Sequence, residues 1–109
     1  MKHFTKLLSL SALTALAACA PVKLLNVVTP SGNFDRVNDI SYGDHERQSL
    51  DVYTPSTPRK NAPVIVFVHG GGWDSGDKNM YKFLGETFTG EGYTVVMPNY
   101  RLHPGIRFP

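Results

Sequence analysis

The chain has 109 residues, which allows one small domain, and with 41% apolar and 18% charged residues its composition is that of an ordinary globular protein. Its formal net charge is +2, and it falls to about zero without Lys2 and Lys6, which lie in a segment that we expect to be removed. The basic residues are scattered rather than clustered, so the charge pattern gives no case for nucleic-acid binding. A single cysteine excludes an internal disulfide.

Residues 1–18 have the pattern of a secretory signal peptide. A short basic start precedes an apolar stretch, Leu7 to Ala18, that is too short to span a membrane comfortably. The stretch ends in LAAC at 16–19, which resembles the bacterial lipobox, so Cys19 would be lipidated and become the new N-terminus. We therefore predict an exported bacterial lipoprotein, anchored to a membrane on the periplasmic or outer-membrane face. An ordinary signal peptide followed by a chance cysteine is the alternative.

The predicted domain, residues 39–109, follows a predicted tether, residues 19–38, which is rich in turn residues and has little periodicity. Two short strands, 39–43 and 48–53, are expected to form a half-exposed antiparallel hairpin, because Leu50 and Val52 alternate with polar neighbours. His45 lies in the polar turn between these strands. It is expected to be solvated, since no metal-ligand spacing surrounds it. A Pro-rich surface loop is predicted to follow.

The segment that organises the chain is PVIVFVHGGGW, residues 63–73. Its five consecutive apolar residues, 64–68, predict a strand buried on both faces. Three glycines after such a strand carry a large entropic cost, which favours a turn with special backbone angles or close approach of a ligand. An oxyanion hole needs both, because its backbone N–H groups must point at the charge that develops on a carbonyl oxygen. A glycine-rich turn without a ligand is the alternative.

A helix from Asn79 to about Thr89 is predicted next, with Ser75 or Asp77 as its N-cap. Its apolar face carries residues at helical spacing, which are expected to pack in the core: Tyr81, Leu84 and Phe88. Gly90 and Gly92 are expected to end it.

A second buried strand, 93–97, completes a strand–helix–strand unit with parallel strands. The loops at the carboxyl ends of parallel strands form the binding crevice of open sheets. The glycine turn and the segment 99–102 are therefore expected to lie at the same end of the sheet.

Several short motifs carry a resemblance to a known family. HGGGW at 69–73, preceded by LDVYTP at 50–55 and followed by SGDK and VVMPNYRL, resembles the oxyanion-hole region of α/β-hydrolase fold esterases and lipases. Within that fold it is similar to hormone-sensitive-lipase-like carboxylesterases and to feruloyl and acetyl-xylan esterase-like proteins, over residues 41–109. The resemblance implies an α/β fold, the N-terminal part of a hydrolase sheet, in which an antiparallel hairpin precedes a parallel βαβ unit.

The resemblance also implies roles for the residues of the turn. Gly71 and Gly72 would donate their backbone N–H groups to the oxyanion, while Gly70 would serve the turn itself. His69 is expected to brace the loop by hydrogen bonds, because the catalytic histidine of the family lies near the C-terminus. Trp73 is expected to pack behind the loop or to line the pocket wall.

Tyr100 and Arg101 are weaker candidates for substrate contact, and a structural ion pair is an equal alternative for Arg101.

The family uses a serine in G-x-S-x-G as its nucleophile. No serine of the chain has glycine both two positions before and two positions after it: Ser9, Ser11, Ser31, Ser41, Ser49, Ser56 and Ser75.

In the family's chain order, the serine, the acid and the histidine follow the segment present here. We therefore predict an N-terminal fragment of a serine ester hydrolase, with an oxyanion hole but no triad, inactive alone. The strand edge at which the nucleophile-bearing strand would pair should be uncovered. The alternative is a non-catalytic lipid-anchored lipoprotein with a degenerate hydrolase domain that acts as a binding or surface module. No cofactor and no metal are expected. The expected partner is a small acyl ester, bound by the full-length parent.

Overall fold

A computed structural model describes residues 21–30 and 32–107. The predicted signal peptide and Cys19 lie outside the described residues. The elements in chain order are α1 (Pro21–Val28), β1 (Phe34–Ser41), β2 (Ser49–Pro55), β3 (Val64–Val66), a 3₁₀ helix (Lys78–Tyr81), α2 (Lys82–Gly90) and β4 (Thr94–Pro98). No helix within the described ranges is long and apolar enough to cross a membrane.

The four strands form one mixed sheet in the order β1-β2-β4-β3. β1 and β2 pair antiparallel, as the predicted hairpin requires, and β2 also pairs antiparallel with β4. β3 and β4 are parallel, and α2 lies in the connection between them. The predicted βαβ unit is therefore confirmed, and β3 lies at the edge of the described sheet.

The N-terminal boundaries differ from those predicted. β1 begins at Phe34 rather than at residue 39, and α1 occupies part of the predicted tether. Phe34 explains the early start, because its ring is buried and lies 5.4 Å from the ring of Tyr53 on β2. The pairing of β1 with β2 shifts register between Val37 and Ile40, where Asp39 has a positive φ of 56°. A bulge of this kind bends the strand and redirects its side chains.

The core lies on the face of the sheet that α2 covers. Four residues on the strands are buried there, and four aromatic or aliphatic side chains pack against them: Phe34, Tyr53, Val95 and Met97, with Phe67, Tyr81, Leu84 and Phe88. The predicted apolar stripe of the helix is thus confirmed as core. Gly85 allows the close approach, because a Cβ atom there would lie 2.5 Å from the ring of Tyr53.

The opposite face of β3 is open, and the prediction of a strand buried on both faces is wrong. Val64, Val66 and Val68 are 59%, 62% and 52% exposed. Side chains alternate between the two faces of a strand, so the helix shields only the intervening residues. No described element covers the valines of β3, so the strand is half-buried.

Candidate active site

The glycine turn lies directly beyond β3, at its carboxyl end. Gly71 has φ of 132° and Gly72 has φ of 64°, angles that residues with a Cβ rarely adopt. A Cβ at Gly71 would also lie 2.2 Å from the carbonyl oxygen of Ser75, whereas one at Gly70 would meet nothing within 4 Å. The N–H groups of Gly71 and Gly72 donate to no acceptor in the described part of the chain. The N–H groups of Gly70 and Trp73 also donate to no described acceptor, so the turn holds a run of unbonded donors, of which Gly71 and Gly72 have backbone angles that favour glycine.

The carbonyl side of the same turn is well satisfied. The oxygen of Gly71 accepts hydrogen bonds from the backbone N–H of Ser75, at 3.1 Å, and from its hydroxyl, at 2.7 Å. Ser75 is thus not the helix cap. That role belongs to Asp77, whose carboxylate accepts a bond of 2.8 Å from the N–H of Asn79. The helix begins as a 3₁₀ turn, and its α-helical part starts only at Lys82.

His69 and Asn99 connect the carboxyl ends of β3 and β4. His69 is 3% exposed and Asn99 is 6% exposed, and His69 Nε2 lies 3.1 Å from Asn99 Oδ1. The same Oδ1 accepts from the N–H of Lys78 at 2.8 Å, and Asn99 Nδ2 donates to Asp77 at 3.1 Å. These two bonds fix the orientation of the amide, so its oxygen faces Nε2 of His69, while Nδ1 of the same ring lies 2.9 Å from the carbonyl oxygen of Gly70. His69 therefore lies beneath the turn, hydrogen-bonded to the next strand.

Aromatic and cationic side chains complete this support. The ring of Tyr100 stacks on His69 with centroids 4.5 Å apart, and its hydroxyl donates to the carbonyl of His69 at 2.9 Å. Arg47, from the hairpin turn, donates to the carbonyls of Tyr100 and Gly76 at 2.8 and 2.9 Å. The Tyr42 hydroxyl donates to the carbonyl of Asn99. The hairpin thus holds both loops of the site, the glycine turn with the residues that follow it to Gly76 and the loop that begins at Asn99.

A buried ionic cluster lies behind the turn. Asp51 of β2 and Lys78 of the 3₁₀ helix are 0% and 2% exposed, and their charged atoms are 2.8 Å apart. Arg36 adds a contact of 2.6 Å to Asp51, and Asp39 adds one of 2.7 Å to Lys78. Burial raises the pKa of Asp51, but the hydrogen bonds from Lys78 and Arg36 lower it by more, so it lies below its ordinary value. Asp51 therefore stays ionised inside the fold.

The polar groups nearer the turn are held charged in the same way. Burial raises the pKa of Asp77, and hydrogen bonds from Asn79 and Asn99 outweigh that effect and lower it. Burial lowers the pKa of Lys78, yet its bonds to Asp39 and Asp51 raise it above its ordinary value. The result is a rigid, fully charged support at neutral pH.

A cavity of about 470 Å³ opens beside the turn at the carboxyl ends of the strands. Trp73, Tyr100 and Arg101 all contribute to its lining, as does Val68. Trp73 is 69% exposed, so it lines the wall rather than packing behind the loop. A larger cavity of about 680 Å³ lies at the amino end of β4, and none of the glycines of the turn at 70–72 lines it. In the described ranges, no group of three His, Cys, Asp or Glu residues is placed to hold a metal ion.

Comparison with known proteins identifies this arrangement. The BD-FAE family matches residues 50–109, which is more than half of the chain and includes both loops of the site. The chain belongs to the BD-FAE family. It shares the α/β-hydrolase fold, since esterase B of Lactobacillus rhamnosis superposes on 97% of the chain with a TM-score of 0.69, at 24% identity.

Enzymes with related sequences occur in plants and animals. The isoprenylcysteine alpha-carbonyl methylesterase of Arabidopsis thaliana is 40% identical over 65 residues, which is 60% of this chain and 15% of the plant protein. The kynurenine formamidase of Danio rerio is 35% identical over 66 residues, 61% of this chain and 22% of the fish protein. The chain also covers 35% of esterase B. It thus spans between a seventh and about a third of these three proteins.

Several residues that support the site in this BD-FAE chain were not predicted from its sequence. Asn99, Asp51 and Lys78 all lie in the motifs that carried the family resemblance, but none was singled out. One signal was available for Asp51, which alternates with Tyr53 at a spacing that puts both on the same face of β2. His45, by contrast, is an exposed turn residue, as predicted. Its Nδ1 accepts a bond of 3.0 Å from the N–H of Arg47.

Proposed function

We propose that this chain supplies the oxyanion hole of a serine carboxylic ester hydrolase, whose nucleophile, base and acid lie on residues outside this sequence. Membership of an esterase family makes the chain a carboxylic ester hydrolase-like domain. The observation that carries the finer proposal is the pair of N–H groups at Gly71 and Gly72. Both are free of described acceptors and have positive φ, and the residues that flank the turn, Val68 and Trp73, line a cavity at the strand ends.

The chemistry assigned to the turn is electrostatic. When a serine hydroxyl adds to an ester carbonyl, the carbonyl oxygen becomes an anion, and two N–H groups at hydrogen-bond distance stabilise it. Expulsion of the alcohol leaves an acyl-enzyme, and water then repeats the addition at the same carbonyl. The same donors serve both steps. An oxyanion hole stabilises the transition state best when its donors are already in place. The buried hydrogen bond between His69 and Asn99 lies beneath the turn, and it would limit movement of the loop when the negative charge forms on the carbonyl oxygen.

One relative is named a kynurenine formamidase, so a formamide is the second substrate class to consider. An oxyanion hole stabilises addition to either carbonyl, so the turn alone does not choose between an ester and a formamide. The methylesterase relative favours the ester. The proposed substrate class is a small acyl ester.

The test begins with the coding sequence downstream of Pro109, read in all three forward frames for G-x-S-x-G followed by an acid and a histidine. The extended protein is then labelled with a fluorophosphonate and assayed on para-nitrophenyl acetate. Labelling and hydrolysis by the extended protein, with neither in the 109-residue chain, would support the proposal. A stop codon with no such motif downstream in any frame would contradict it, and would favour the non-catalytic lipoprotein with a degenerate hydrolase domain.

We further propose that Cys19 carries a lipid anchor on an exported protein. The support is the sequence LAAC after a basic and then apolar leader. Two acyl chains or more would give stable membrane attachment, since each buried methylene contributes about 0.8 kcal/mol. Metabolic labelling with an alkyne fatty acid should mark the wild-type protein in membranes, and Cys19→Ser should be unlabelled. Equal labelling of both would sink the assignment.

A further inference from the structure

A second cavity beside the glycine turn differs in character from the first. It has a volume of about 590 Å³, and Trp73 is common to both cavities. The described residues that line it provide an indole ring, an aliphatic side chain, two guanidinium groups and an imidazole ring: Trp73, Ile106, Arg101, Arg107 and His103. We call it the basic crevice. None of these five lining residues is acidic.

Trp73 is presented to solvent by a strained backbone. Its φ is 68°, a conformation that is uncommon for a bulky residue and costs stability. The conformation is held in place because the carbonyl of Trp73 accepts a bond of 2.9 Å from the N–H of His103. The indole nevertheless remains 69% exposed. A strained residue that displays a large apolar ring beside a catalytic loop suggests contact with a ligand.

The two arginines of the crevice lack a carboxylate partner. Arg36 and Arg47 each lie within 4.0 Å of a carboxylate, whereas Arg101 and Arg107, like Arg59 outside the crevice, have no such partner among the described residues. Both are exposed. A guanidinium is always protonated, and its planar fork binds a carboxylate through two parallel hydrogen bonds. The crevice therefore offers an aromatic face and a positive charge at the same place.

We propose that the basic crevice binds an aromatic ring that carries a carboxylate, so that the ester substrates of the proposed function are anionic aryl esters. The ring lies against Trp73, and the carboxylate is held by Arg101 and Arg107. The crevice shares Trp73, Arg101 and Ile106 with the cavity of about 470 Å³ beside the glycine turn, so a ligand held there lies next to that cavity. This assignment of substrate class rests on the proposed ester hydrolase function, but the binding step does not.

Binding can be measured on the 109-residue chain itself, because Trp73 is its only tryptophan. Tryptophan emission is followed during titration with benzoate and with benzamide, its neutral isostere. Benzoate should bind about tenfold more tightly, since a charge-assisted hydrogen bond contributes more than a neutral one, and added salt should reduce that difference. Arg101→Gln combined with Arg107→Gln should abolish the preference, while Arg59→Gln, a surface change outside the crevice, should preserve it.

Equal affinity for benzoate and benzamide, or a preference that survives the double substitution, would overturn the proposal. A circular dichroism spectrum shows that each variant retains its fold. On the extended protein, the KM for acetoxybenzoate should be about tenfold below that for acetoxybenzamide. Absence of hydrolysis of either ester would count against the proposed function while leaving the binding result intact. Hydrolysis of both with equal KM would count against the crevice alone.

Discussion

The carboxylate of Asp51 and the ammonium of Lys78 lie 2.8 Å apart in the interior of the protein, one on a central strand and the other on the first turn after the glycine loop. Lys78 also gives its backbone N–H to Asn99, which bonds the buried His69. A chain of direct contacts thus runs from the middle of the sheet to His69, two residues before the first proposed oxyanion donor. We expect the position of the loop to depend on this ionic pair.

Breaking the pair should be costly. In Lys78→Met the Asp51 carboxylate stays buried with only Arg36 as a cationic partner, so we expect a loss of about 3–5 kcal/mol in the free energy of unfolding. Asp39→Asn is the matched control. Its carboxylate is 73% exposed and bonds the same lysine, so the loss should stay below about 1 kcal/mol. Urea unfolding followed by circular dichroism measures both, and equal small losses would argue against a structural role for the pair.

The same groups set the dependence of stability on pH. Asp51 and Asp77 have pKa values below the ordinary 3.8, so their contribution is present above that pH and is lost as the pH falls below it. The pKa of Lys78 lies above the ordinary 10.5, so its contribution is complete below that pH and is lost above it.

We therefore expect a plateau in the free energy of unfolding between these limits, with a decline at each end. Asp51→Asn should lower the plateau and make the acid decline shallower. Unfolding in urea across the pH range provides the measurement. A free energy of unfolding that increases as the pH falls below 3.8 would contradict the proposed role of Asp51 and Asp77.

The side chain of Asn99 bonds His69, the backbone N–H of Lys78 and the carboxylate of Asp77, and its removal should affect all three. Asn99→Ala leaves the N–H of Lys78 and Nε2 of His69 without their partner in the interior, which should destabilise the protein by about 2–4 kcal/mol, since each unsatisfied buried polar group costs about 1–3 kcal/mol. Asn79→Ala removes an exposed amide that bonds Arg36, and should cost less than about 1 kcal/mol. If the two variants unfold at the same denaturant concentration, Asn99 does not have the central role assigned to it.

Substitutions in the glycine turn should distinguish the glycines whose N–H groups stabilise the oxyanion from Gly70, which serves only the turn. Gly71→Ala forces a Cβ against the carbonyl of Ser75 and disfavours the positive φ, so the donor geometry should be lost. In the extended enzyme, kcat on para-nitrophenyl acetate should fall by about a hundredfold or more, the usual effect of removing one oxyanion donor. Gly70→Ala meets open space and should leave kcat within about twofold. A loss as large at Gly70 would mean that the turn is simply intolerant of side chains.

The two glycines of α2 should respond in opposite directions. Gly85→Ala places a methyl group 2.5 Å from the ring of Tyr53, and should destabilise the chain by about 1–3 kcal/mol through overpacking. Gly90→Ala meets nothing within 4 Å, and should stabilise it by up to about 1 kcal/mol through helix propensity. Thermal unfolding of the two variants gives the comparison, and destabilisation of both would leave the contact with Tyr53 unsupported.

Sequence reasoning succeeded where the pattern was local. The spacing of Tyr81, Leu84 and Phe88 predicted the face that packs on the sheet, and Asp77 was one of two predicted caps. It failed for Asp51, because an acidic residue inside a strand is explained only by cations that arrive from β1 and the 3₁₀ helix. Hydropathy along the chain carries no information about such distant partners.

For the valines of β3 the prediction failed in the opposite direction, because they were predicted to be buried and are exposed. Five consecutive apolar residues predicted burial on both faces, which is what the completed sheet of a hydrolase provides. In the described residues only one face is covered, and Val64 and Val66 remain mostly exposed. The composition of a strand thus does not by itself tell which of its faces the described residues cover.

The position of β3 in the sheet also sets an order of events during synthesis. β3 pairs only with β4 among the described strands, and β4 begins about thirty residues further along the chain. At a typical translation rate of about 5–20 residues per second, β3 and its glycines wait roughly 2–6 seconds for their partner strand. During that interval a run of five apolar residues has neither its hydrogen-bonding neighbour nor its helix. A nascent chain at this stage exposes that apolar run, and transiently exposed apolar surface is prone to aggregation.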